Sequence, residues 1–559
     1  MIYDLFWHLR TGQAIWEEKR ILTEDIFSHG GGALGYTEFL GQLYFYAWEH
    51  LGGDWGITLG TALLLGGGAL AVNRLARSPS EALSFPKWLQ TKISYPEYLS
   101  TWGIGLALAL WASTCRYRFG PKMEMFSFIG LALAMAMVAR LDPARPKRFV
   151  VLLSGLLVLW GNLHRGGTLA LLVLGIYGVS WFVSGDGKRS RIALASFPIA
   201  AGALCLNTAG YQYLVASFDL VGRETFRTSF PEWAPMNGTF LLFSPAFVLV
   251  VVLWGGRILL RRQLTPADLI AGATLLLALN AVRFAPFFAI AAVPNLARGL
   301  SEGLRWAERR ADPWVREEIF RALTLVLGLV LLAASHIRMT PPSFLGVGQV
   351  YWRLPVEGAR FLQNNLPPGK MWNSFNLGGY LIHALGPKTK VFIDGRNDTV
   401  YSNQFFKKSR LAVKHAEAFE ELVKTQDLNF AVVECRKFQC DKPLFLHASP
   451  DWVPVFLGEN SAILVRDIAR NKDYLRKHGM TALRPHNFLQ SLDAFPRRPD
   501  SKGFERDVLR NVRHAPLSMR AHFLAAVVHK RQGRLESYQR ERDAFLILST
   551  ERNSSIPPP

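Results

Sequence analysis

Hydrophobic residues are concentrated before residue 340, where apolar runs alternate with short polar segments. A helix needs about 20 residues to cross a bilayer, and several runs are shorter, so we expect some helices to extend into their polar flanks. The pattern predicts about ten membrane-spanning helices. They are Trp55–Ala76, Thr101–Cys115, Met123–Ala139, Phe149–Gly161, Thr168–Val183, Ile192–Asn207, Thr239–Trp254, Ala267–Val282, Phe284–Leu300 and Ile319–Ser335.

After residue 338 the pattern changes to short segments of strand and helix type. Strands are predicted at Lys370–Ser374, Lys390–Asp394 and Asn429–Glu434, and a hairpin turns about Glu459 and Asn460. Helices between them make this a small α/β domain. The predicted organisation is a first outer loop with interfacial helices (1–53), a transmembrane domain (54–337), the α/β domain (338–468), a helical segment that weakly resembles a TPR repeat (469–549) and a disordered tail (550–559).

The chain of 559 residues has a net charge of +21, and the positions of the basic residues say more about its organisation than the total does. Alternate loops between the predicted spans are basic, as the positive-inside rule requires, and no nucleic-acid motif is present. We therefore predict no nucleic-acid partner and place residues 1–53 and the C-terminal domain outside the cell. The basic residues of the predicted inner loops are Arg74, Arg77, Lys87, Lys92, Arg140, Arg145, Lys147, Arg148, Lys188, Arg189, Arg191, Arg257, Arg261, Arg262, Arg298, Arg305, Arg309, Arg310 and Arg316.

The polar stretch from Asp4 to Phe39 carries the candidate catalytic acids Asp4, Asp25 and Glu38. Such acids can act as general bases or hold a divalent metal. Asp4 and His8 are four residues apart and share a face if the segment is helical. Asp25 has a second interpretation, as a cap of a local turn. We expect a first spanning helix to precede Asp4 in the full protein; the alternative is that this polar stretch inserts within the first hairpin.

Several predicted outer loops also carry arginines, against the orientation rule. An anionic ligand such as a lipid phosphate would explain them, and so would interfacial snorkelling or pairing with Glu124, Asp219, Glu224 and Glu232. The turn Gly161–Gly167 adds Asn162 and His164, which need either a ligand or hydrogen bonds to neighbouring helix ends. The outer arginines are Arg116, Arg118, Arg165, Arg223, Arg227 and Arg283.

Other familiar sites are excluded or left open. The sequence has no phosphate-binding glycine loop, no paired-cysteine zinc spacing and no Gly-x-Ser-x-Gly elbow. Cys435 and Cys440 could form a disulfide or remain free thiols. Asp394 and Arg396 are predicted to form a structural ion pair.

Several short motifs, taken in order, resemble bacterial polytopic membrane proteins of the GT-C glycosyltransferase type. The resemblance covers about residues 4–470. Three departures stand at Ile26, Thr37 and Arg165, where that group usually has Pro, His and Gly. The motifs are D-L-F-W-H-L-R-T-G from Asp4, E-D-I-F-S, T-E-F-L, W-G-N-L-H at Trp160–His164, L-N-T-A-G-Y at Leu206–Tyr211, P-E-W-A-P at Pro231–Pro235, N-A-V-R-F with Arg283, G-G-Y-L-I at Gly378–Ile382 and V-F-I-D-G-R at Val391–Arg396.

The resemblance implies a multi-pass protein of the bacterial inner membrane that transfers a sugar from a polyprenyl-phosphate carrier. The acceptor would be a hydroxyl of a glycan, lipid or protein, and Asp4 would be the base of an inverting reaction. A divalent cation, Mg²⁺ or Mn²⁺, is left open, with Asp4 and His164 as its first candidate ligands. The predicted substrate-binding residues are His8, Arg116, Arg118, Asn162, His164, Arg165, Glu232, Trp233 and Arg283.

A second hypothesis belongs to a different class of protein. The same outer residues would suit a non-catalytic membrane scaffold or a transporter of lipid-linked glycans. The predicted spans contain few charges and the sequence has no coupling motif, which makes a transporter the weaker prediction.

Overall fold

The computed structural model describes residues 4–32, 34, 36, 38–79, 99–216, 230–261, 264–310, 322, 353–436, 439–440, 443–485 and 500–551. The chain divides into two compact units. Unit 1 joins Met1–Gly35 to Pro341–Pro559, and unit 2 is Tyr36–Thr340. The described residues are mostly helical, with a small sheet in unit 1.

Unit 2 consists of helices in its described part. Short 3-10 helices at Arg116–Arg118, Arg165–Thr168 and Val282–Phe284 connect some of them. The helices are α2 (Phe39–Ala76), α3 (Thr101–Cys115), α4 (Glu124–Ala139), α5 (Pro146–Leu163), α6 (Leu169–Val183), α7 (Gly187–Leu204), α8 (Gly238–Phe243), α9 (Pro245–Arg261), α10 (Pro266–Asn280) and α11 (Ala285–Arg310).

Three helical segments among the described residues are long and apolar enough to cross a membrane: Phe39–Ala76, Pro146–Leu163 and Arg165–Val183. Their outward faces are apolar, with Leu70 71% and Phe182 72% exposed. Large apolar side chains at such exposure are typical of a surface that meets lipid or another protein. This part of the chain therefore has the character of a membrane protein.

About ten membrane-spanning helices are predicted, and three segments of the described structure are long and apolar enough to be such helices. Helices α4 and α10 are apolar but have 16 and 15 residues, which is shorter than a full span. The second half of α11 is charged, and α7 begins with basic residues. The predicted helix Ile319–Ser335 lies outside the described residues apart from residue 322. The basic residues Lys87, Lys92, Arg262 and Arg316 and the acids Asp219 and Glu224 also lie outside them.

Helix α2 is longer than the predicted span at Trp55–Ala76 because it begins at Phe39. It is kinked at Gly52 and Gly53, and Gly53 has a φ of 53°. Glycine adopts this left-handed conformation without the steric cost that a Cβ would add. The pattern located the apolar half after the kink, and the half before it lies within residues 1–53, where interfacial helices are predicted.

Unit 1 combines short helices with a five-stranded sheet. The strands are β1 (Lys370–Asn373), β2 (Leu428–Arg436), β3 (Gln439–Cys440), β4 (Trp452–Leu457) and β5 (Ser461–Arg466). The helices are α1 (Asp4–Glu18), α12 (Val356–Asn364), α13 (Gly378–Leu385), α14 (Asn403–Lys414), α15 (Ala416–Gln426), α16 (Leu444–Ala448), α17 (Lys472–His478), α18 (Ser501–His514), α19 (Met519–Arg531) and α20 (Leu535–Glu551).

The sheet order is β1-β2-β5-β4, with β3 paired to β2. Strands β1 and β2 are parallel, and β2–β5, β4–β5 and β2–β3 are antiparallel. Central strand β2 is buried from Phe430 to Val433, and Phe419 of α15 contacts the rings of Trp372 and Trp452. Burying each such aromatic side chain contributes roughly 1.5–3 kcal/mol. The predicted strands at 370–374 and 429–434 and the hairpin about Glu459 and Asn460 are confirmed.

The predicted strand at Lys390–Asp394 is wrong. This segment makes a single parallel bridge, between Val391 and Ser28. The Asn373 side chain accepts a hydrogen bond from the Phe392 amide (2.8 Å) and donates one to the Ile393 carbonyl (2.8 Å). Because these backbone groups are satisfied by a side chain, a regular strand ladder does not form here.

The C-terminal part of unit 1 agrees with the pattern. Gly533 separates α19 from α20, as the helix-turn-helix pattern at Ala521–Phe545 predicts. Residues 550 and 551 continue α20 rather than beginning a tail, and residues 552–559 lie outside the described residues. Cys435 and Cys440 form a disulfide, which resolves the alternative that the sequence left open.

Candidate functional site

The polar residues of unit 2 gather at one end of its three candidate spans. Glu38 is the residue before α2, His164 ends α5, and Arg165 begins the turn that leads into α6. The turn between α5 and α6 carries His164 and Arg165, and Glu38 lies 3.8 Å from His164 Nε2. We call Glu38, His164, Arg165, Arg118, Glu124, Glu232 and Arg283 the polar cluster.

His164 is held by hydrogen bonds on one ring nitrogen. The Trp160 indole N–H donates to Ser127 Oγ (2.8 Å), the Ser127 hydroxyl is 2.5 Å from His164 Nδ1, and the Gly166 amide donates to Nδ1 (3.3 Å). These donors assign the ring proton to Nε2. Burial lowers the His164 pKa to about 3, with help from Arg283, Arg165 and Arg118. The imidazole is therefore neutral at physiological pH.

Glu38 faces the other ring nitrogen of His164. Its Oε1 is 3.8 Å from His164 Nε2, and both side chains are 16% exposed. A carboxylate beside an N–H group, at the edge of a buried cluster, can accept a proton from a bound hydroxyl. Glu38 is thus the predicted catalytic acid that shares unit 2 with the predicted phosphate-binding arginines.

Two tyrosines complete the wall around the turn. The Tyr213 hydroxyl accepts from the Gly167 amide (3.0 Å) and donates to the His164 carbonyl (3.2 Å), while the Tyr36 hydroxyl donates to the Gly161 carbonyl (2.6 Å). The Arg165 guanidinium lies 5.2 Å from the centre of the Tyr36 ring. These tyrosines cross-link the turn to two other segments of unit 2.

Two roles were predicted for Asn162, binding a ligand or hydrogen-bonding neighbouring helix ends, and the structure shows hydrogen bonds to backbone carbonyls. Its side-chain amide donates to the carbonyls of Val158 and Leu206, each at 2.8 Å. The bond to Leu206, just after the end of α7, agrees with the alternative prediction that this turn hydrogen-bonds neighbouring helix ends. It also connects the W-G-N-L-H and L-N-T-A-G-Y segments.

The second half of the polar cluster is a chain of ion pairs. Arg118 Nε donates to Glu124 Oε2 (2.6 Å), and Arg118 also pairs with Glu232 Oε2. Glu232 Oε1 lies 3.5 Å from Arg283, whose guanidinium is 4.1 Å above the centre of the Trp233 ring. The predicted pairing of the outer arginines with Glu124 and Glu232 is therefore confirmed for Arg118 and Arg283.

Glu232 carries its negative charge under ordinary conditions. Burial raises the pKa of its carboxyl, but Arg283 and Arg118 outweigh that effect and lower the pKa to about 2. Arg116 precedes Arg118 in the same short helix and is half-buried. Arg223 and Arg227 lie outside the described residues.

The remaining predicted site residues belong to unit 1. Asp4 is exposed on the first turn of α1 and lies against Gly395, where an added Cβ would collide with the Asp4 carboxylate. His8 is buried, and its ring centre is 3.4 Å from that of Trp7. The close approach at Gly395 joins the first motif of the resemblance to the V-F-I-D-G-R motif.

Asp25 is buried in an ion-pair network of unit 1. Its Oδ1 accepts from Arg396 (2.6 Å) and from the Phe27 amide (2.9 Å). Arg396 also pairs with Asp394 (2.8 Å), so that predicted pair is confirmed. The turn contact with Phe27 matches the capping interpretation of Asp25, and the bond to Arg396 adds a structural partner 371 residues away.

A metal site is not supported by these residues. Within the described ranges no group of three or more His, Cys, Asp or Glu side chains is arranged to hold a metal ion. The two candidate ligands, Asp4 and His164, belong to different units. We therefore derive no step through a metal.

Sequence reasoning missed four residues that build the site: Tyr36, Ser127, Trp160 as a donor, and Tyr213. Ser127 could have been noticed as a hydroxyl in the first turn of an otherwise apolar helix. The tyrosines gave no such signal, since aromatic residues are common at the ends of membrane helices.

Comparison with known proteins gives no assignment. No family model matches the chain, and no curated protein matches it. The function is therefore argued from the residues of the polar cluster and from the motif resemblance.

Proposed function

We propose that this chain is a membrane glycosyltransferase of the GT-C type. It moves a sugar from a polyprenyl-phosphate carrier to the hydroxyl of an extracytoplasmic acceptor, at the outer face of the bacterial inner membrane. The observation that carries the proposal is the polar cluster. Three arginines, three carboxylates and a neutral histidine lie together beside the ends of apolar helices.

The chemistry of the donor suits this cluster. A polyprenyl-phosphate sugar has a long apolar tail, which requires lipid, and a phosphate, which binds guanidinium groups strongly. Charged groups at the ends of apolar helices are costly unless they are paired or bind a ligand. The cluster offers Arg118, Arg165 and Arg283 beside the ends of apolar helices, and we propose that the lipid phosphate binds there.

Two further observations support the outer position of the cluster. The opposite ends of the same helices are basic, and Arg140 there donates to the Arg74 carbonyl (2.7 Å) and to Ser78 Oγ (2.7 Å). Such basic ends favour the cytoplasmic side. The disulfide in unit 1 is typical of a domain in an oxidising compartment.

The proposed reaction is an inverting displacement. A carboxylate removes the proton of the acceptor hydroxyl, and the oxygen attacks the anomeric carbon. The bond from that carbon to the phosphate oxygen breaks, and the phosphate leaves with the electron pair. Arginines of the cluster stabilise the charge that develops on the leaving phosphate.

Two carboxylates are candidates for the base. The resemblance assigns this role to Asp4, which is exposed on α1. Glu38 is the candidate in unit 2, 3.8 Å from His164 Nε2. We take Asp4 as the first candidate and Glu38 as the second, and substitution separates them.

The test uses purified full-length protein in nanodiscs with a panel of polyprenyl-phosphate sugars, and measures release of polyprenyl phosphate and glycosylation of extracted envelope acceptors. Loss of a general base lowers the rate by about 10²–10⁴-fold. We expect that loss for Asp4→Asn. If Glu38→Gln shows this loss and Asp4→Asn does not, Glu38 is the general base. Asp142→Asn, at a surface acid that pairs with Arg145, is the matched control and should keep full activity.

A failure of both variants to change the rate would remove the carboxylate mechanism. If the wild-type protein binds the lipid donors but releases no polyprenyl phosphate, the scaffold or transporter hypothesis replaces the enzyme. Flux of a labelled lipid-linked glycan across proteoliposomes then separates these two.

A further inference from the structure

We propose that Glu232 is a built-in counter-ion, which occupies the anion site between Arg118 and Arg283 and leaves it when a phosphate monoester or diester binds. The ligand class rests on the proposed function. The counter-ion role rests on the geometry of the ion pairs, and the two can fail separately.

The first argument is how Glu232 is bound. One carboxylate oxygen contacts Arg118 and the other faces Arg283 at 3.5 Å. A carboxylate that bridges two guanidinium groups occupies the position that two oxygens of a phosphate would take. The protein thus fills its own anion site.

The second argument is the difference in burial between the partners. The Arg118 and Glu124 side chains are 7% and 4% exposed, whereas that of Glu232 is 42% exposed. Arg118 keeps its bond to Glu124 if Glu232 leaves. Arg283, whose side chain is 19% exposed, loses Glu232 and pairs with the incoming phosphate instead. Glu232 can therefore move into solvent without leaving a buried charge unpaired, which is the costly outcome for an ion pair.

The third argument is the backbone that carries Glu232. The Arg283 amide donates to the Glu232 carbonyl (2.9 Å), and the Val282 amide donates to the Ala234 carbonyl (3.1 Å). Trp233 is buried and packs against Ala281 and Phe284. These contacts hold the loop in place, so displacement requires only rotation of the Glu232 side chain.

The same unit supplies a matched ion pair for comparison. Glu302 also bridges two arginines, Arg257 (3.4 Å) and Arg261 (2.8 Å). It lies on α11, and its side chain is 18% exposed. Glu302→Gln therefore removes a bridging carboxylate of the same chemistry away from the polar cluster.

The experiment measures binding of polyprenyl monophosphate to the full-length protein in nanodiscs, with uncharged polyprenol and inorganic phosphate as parallel probes. Glu232→Gln removes the competing charge, and we expect it to tighten monophosphate binding by about 10-fold or more. Arg283→Gln should weaken binding by about 10-fold or more, and Glu302→Gln should change it by less than about 2-fold. Weaker binding by Glu232→Gln would overturn the proposal, since Glu232 would then be part of the ligand site.

A measurement on the wild-type protein does not depend on how the variants fold. Carboxyl footprinting should label Glu232 more strongly when polyprenyl monophosphate is bound, because the side chain has been released. Unchanged or weaker labelling overturns the proposal. If inorganic phosphate has the same effect as the lipid, the site takes free phosphate; the counter-ion role stands and the lipid-donor function loses its support. Binding that follows these expectations without sugar transfer leaves the counter-ion role intact and removes the proposed enzyme.

Discussion

Each unit of this protein contains an arginine shared by two carboxylates, and the two arrangements differ in burial. In unit 1, Arg396 lies between Asp25 and Asp394; the arginine side chain is 4% exposed and both aspartates are fully buried. In unit 2, Arg118 lies between Glu124 and Glu232, and Glu232 is 42% exposed. We call the first arrangement closed because the arginine and both of its acids are buried, and the second open because one of the two acids is exposed.

On this difference in burial we propose a structural ion pair in unit 1 and an anion-binding site in unit 2. A closed pair cannot exchange a partner without leaving a charge in a low-dielectric interior, which costs several kcal/mol. An open pair exchanges its exposed partner at little cost, because water solvates the carboxylate that leaves. Residue types alone do not distinguish the two cases, since both consist of one arginine and two acids.

The largest expected effect is in the closed arrangement. Arg396→Met leaves Asp25 and Asp394 buried without their cation, so we expect unit 1 to lose about 3–5 kcal/mol of unfolding free energy. Glu232→Gln in the open arrangement should cost less than about 1 kcal/mol. Both losses of unfolding free energy are measured by denaturant titration of the full-length protein, with limited proteolysis reporting which unit unfolds. Equal losses of stability in Arg396→Met and Glu232→Gln would contradict the distinction between the closed and the open arrangement.

The disulfide of unit 1 should have a smaller effect. The pair Cys435→Ser and Cys440→Ser opens a loop with a sequence separation of five residues. A loop of this size contributes about 2 kcal/mol through the entropy of the unfolded chain. We expect the double variant and the reduced wild-type protein to lose similar stability in thermal unfolding. A loss confined to the reduced protein would indicate that the cysteine substitutions had improved packing locally.

The smallest effect is a pH dependence at the helices of 501–551, where burial is partial. Burial lowers the His522 pKa, but the hydrogen bonds to Glu541 (2.7 Å) and to the Pro516 carbonyl outweigh it and raise the pKa above its ordinary value of 6.5. The imidazolium therefore stabilises the folded state fully below about pH 6.5, and this stability is lost as the pH rises through the raised pKa. Amide hydrogen exchange of α19 and α20 at several pH values should show faster opening toward higher pH. His522→Gln should remove that dependence; if the dependence persists, another group is responsible.

Part of the candidate site was accessible from the sequence. His164, Arg165 and Arg283 were singled out because polar residues next to apolar runs need partners. Glu38 was singled out as an acid of the first polar stretch that can act as a general base. In the structure His164 Nε2 lies 3.8 Å from Glu38 Oε1, and the charge of Arg283 helps to lower the His164 pKa. The sequence also assigned Asp25 a possible catalytic role, and no local signal indicated its pairing with Arg396.

What the sequence determined by itself is local. The apolar runs, the basic segments between them, the strand and helix succession of 356–466 and the polar turn after α5 follow from periodicity and from the cost of charge beside lipid. Helix lengths were less well determined, because the ends of apolar runs do not mark where a helix stops.

Tertiary structure decided which distant charges meet and how deeply. Glu232 reaches Arg118 across 114 residues, and Asp25 reaches Arg396 across 371. Helix and strand packing sets these meetings, and no periodic pattern encodes them. Burial, also a property of the packed chain, encloses Arg396 and leaves the Glu232 side chain 42% exposed. The sequence therefore determined which charged groups were available, and packing decided which of them are enclosed and which are partly exposed.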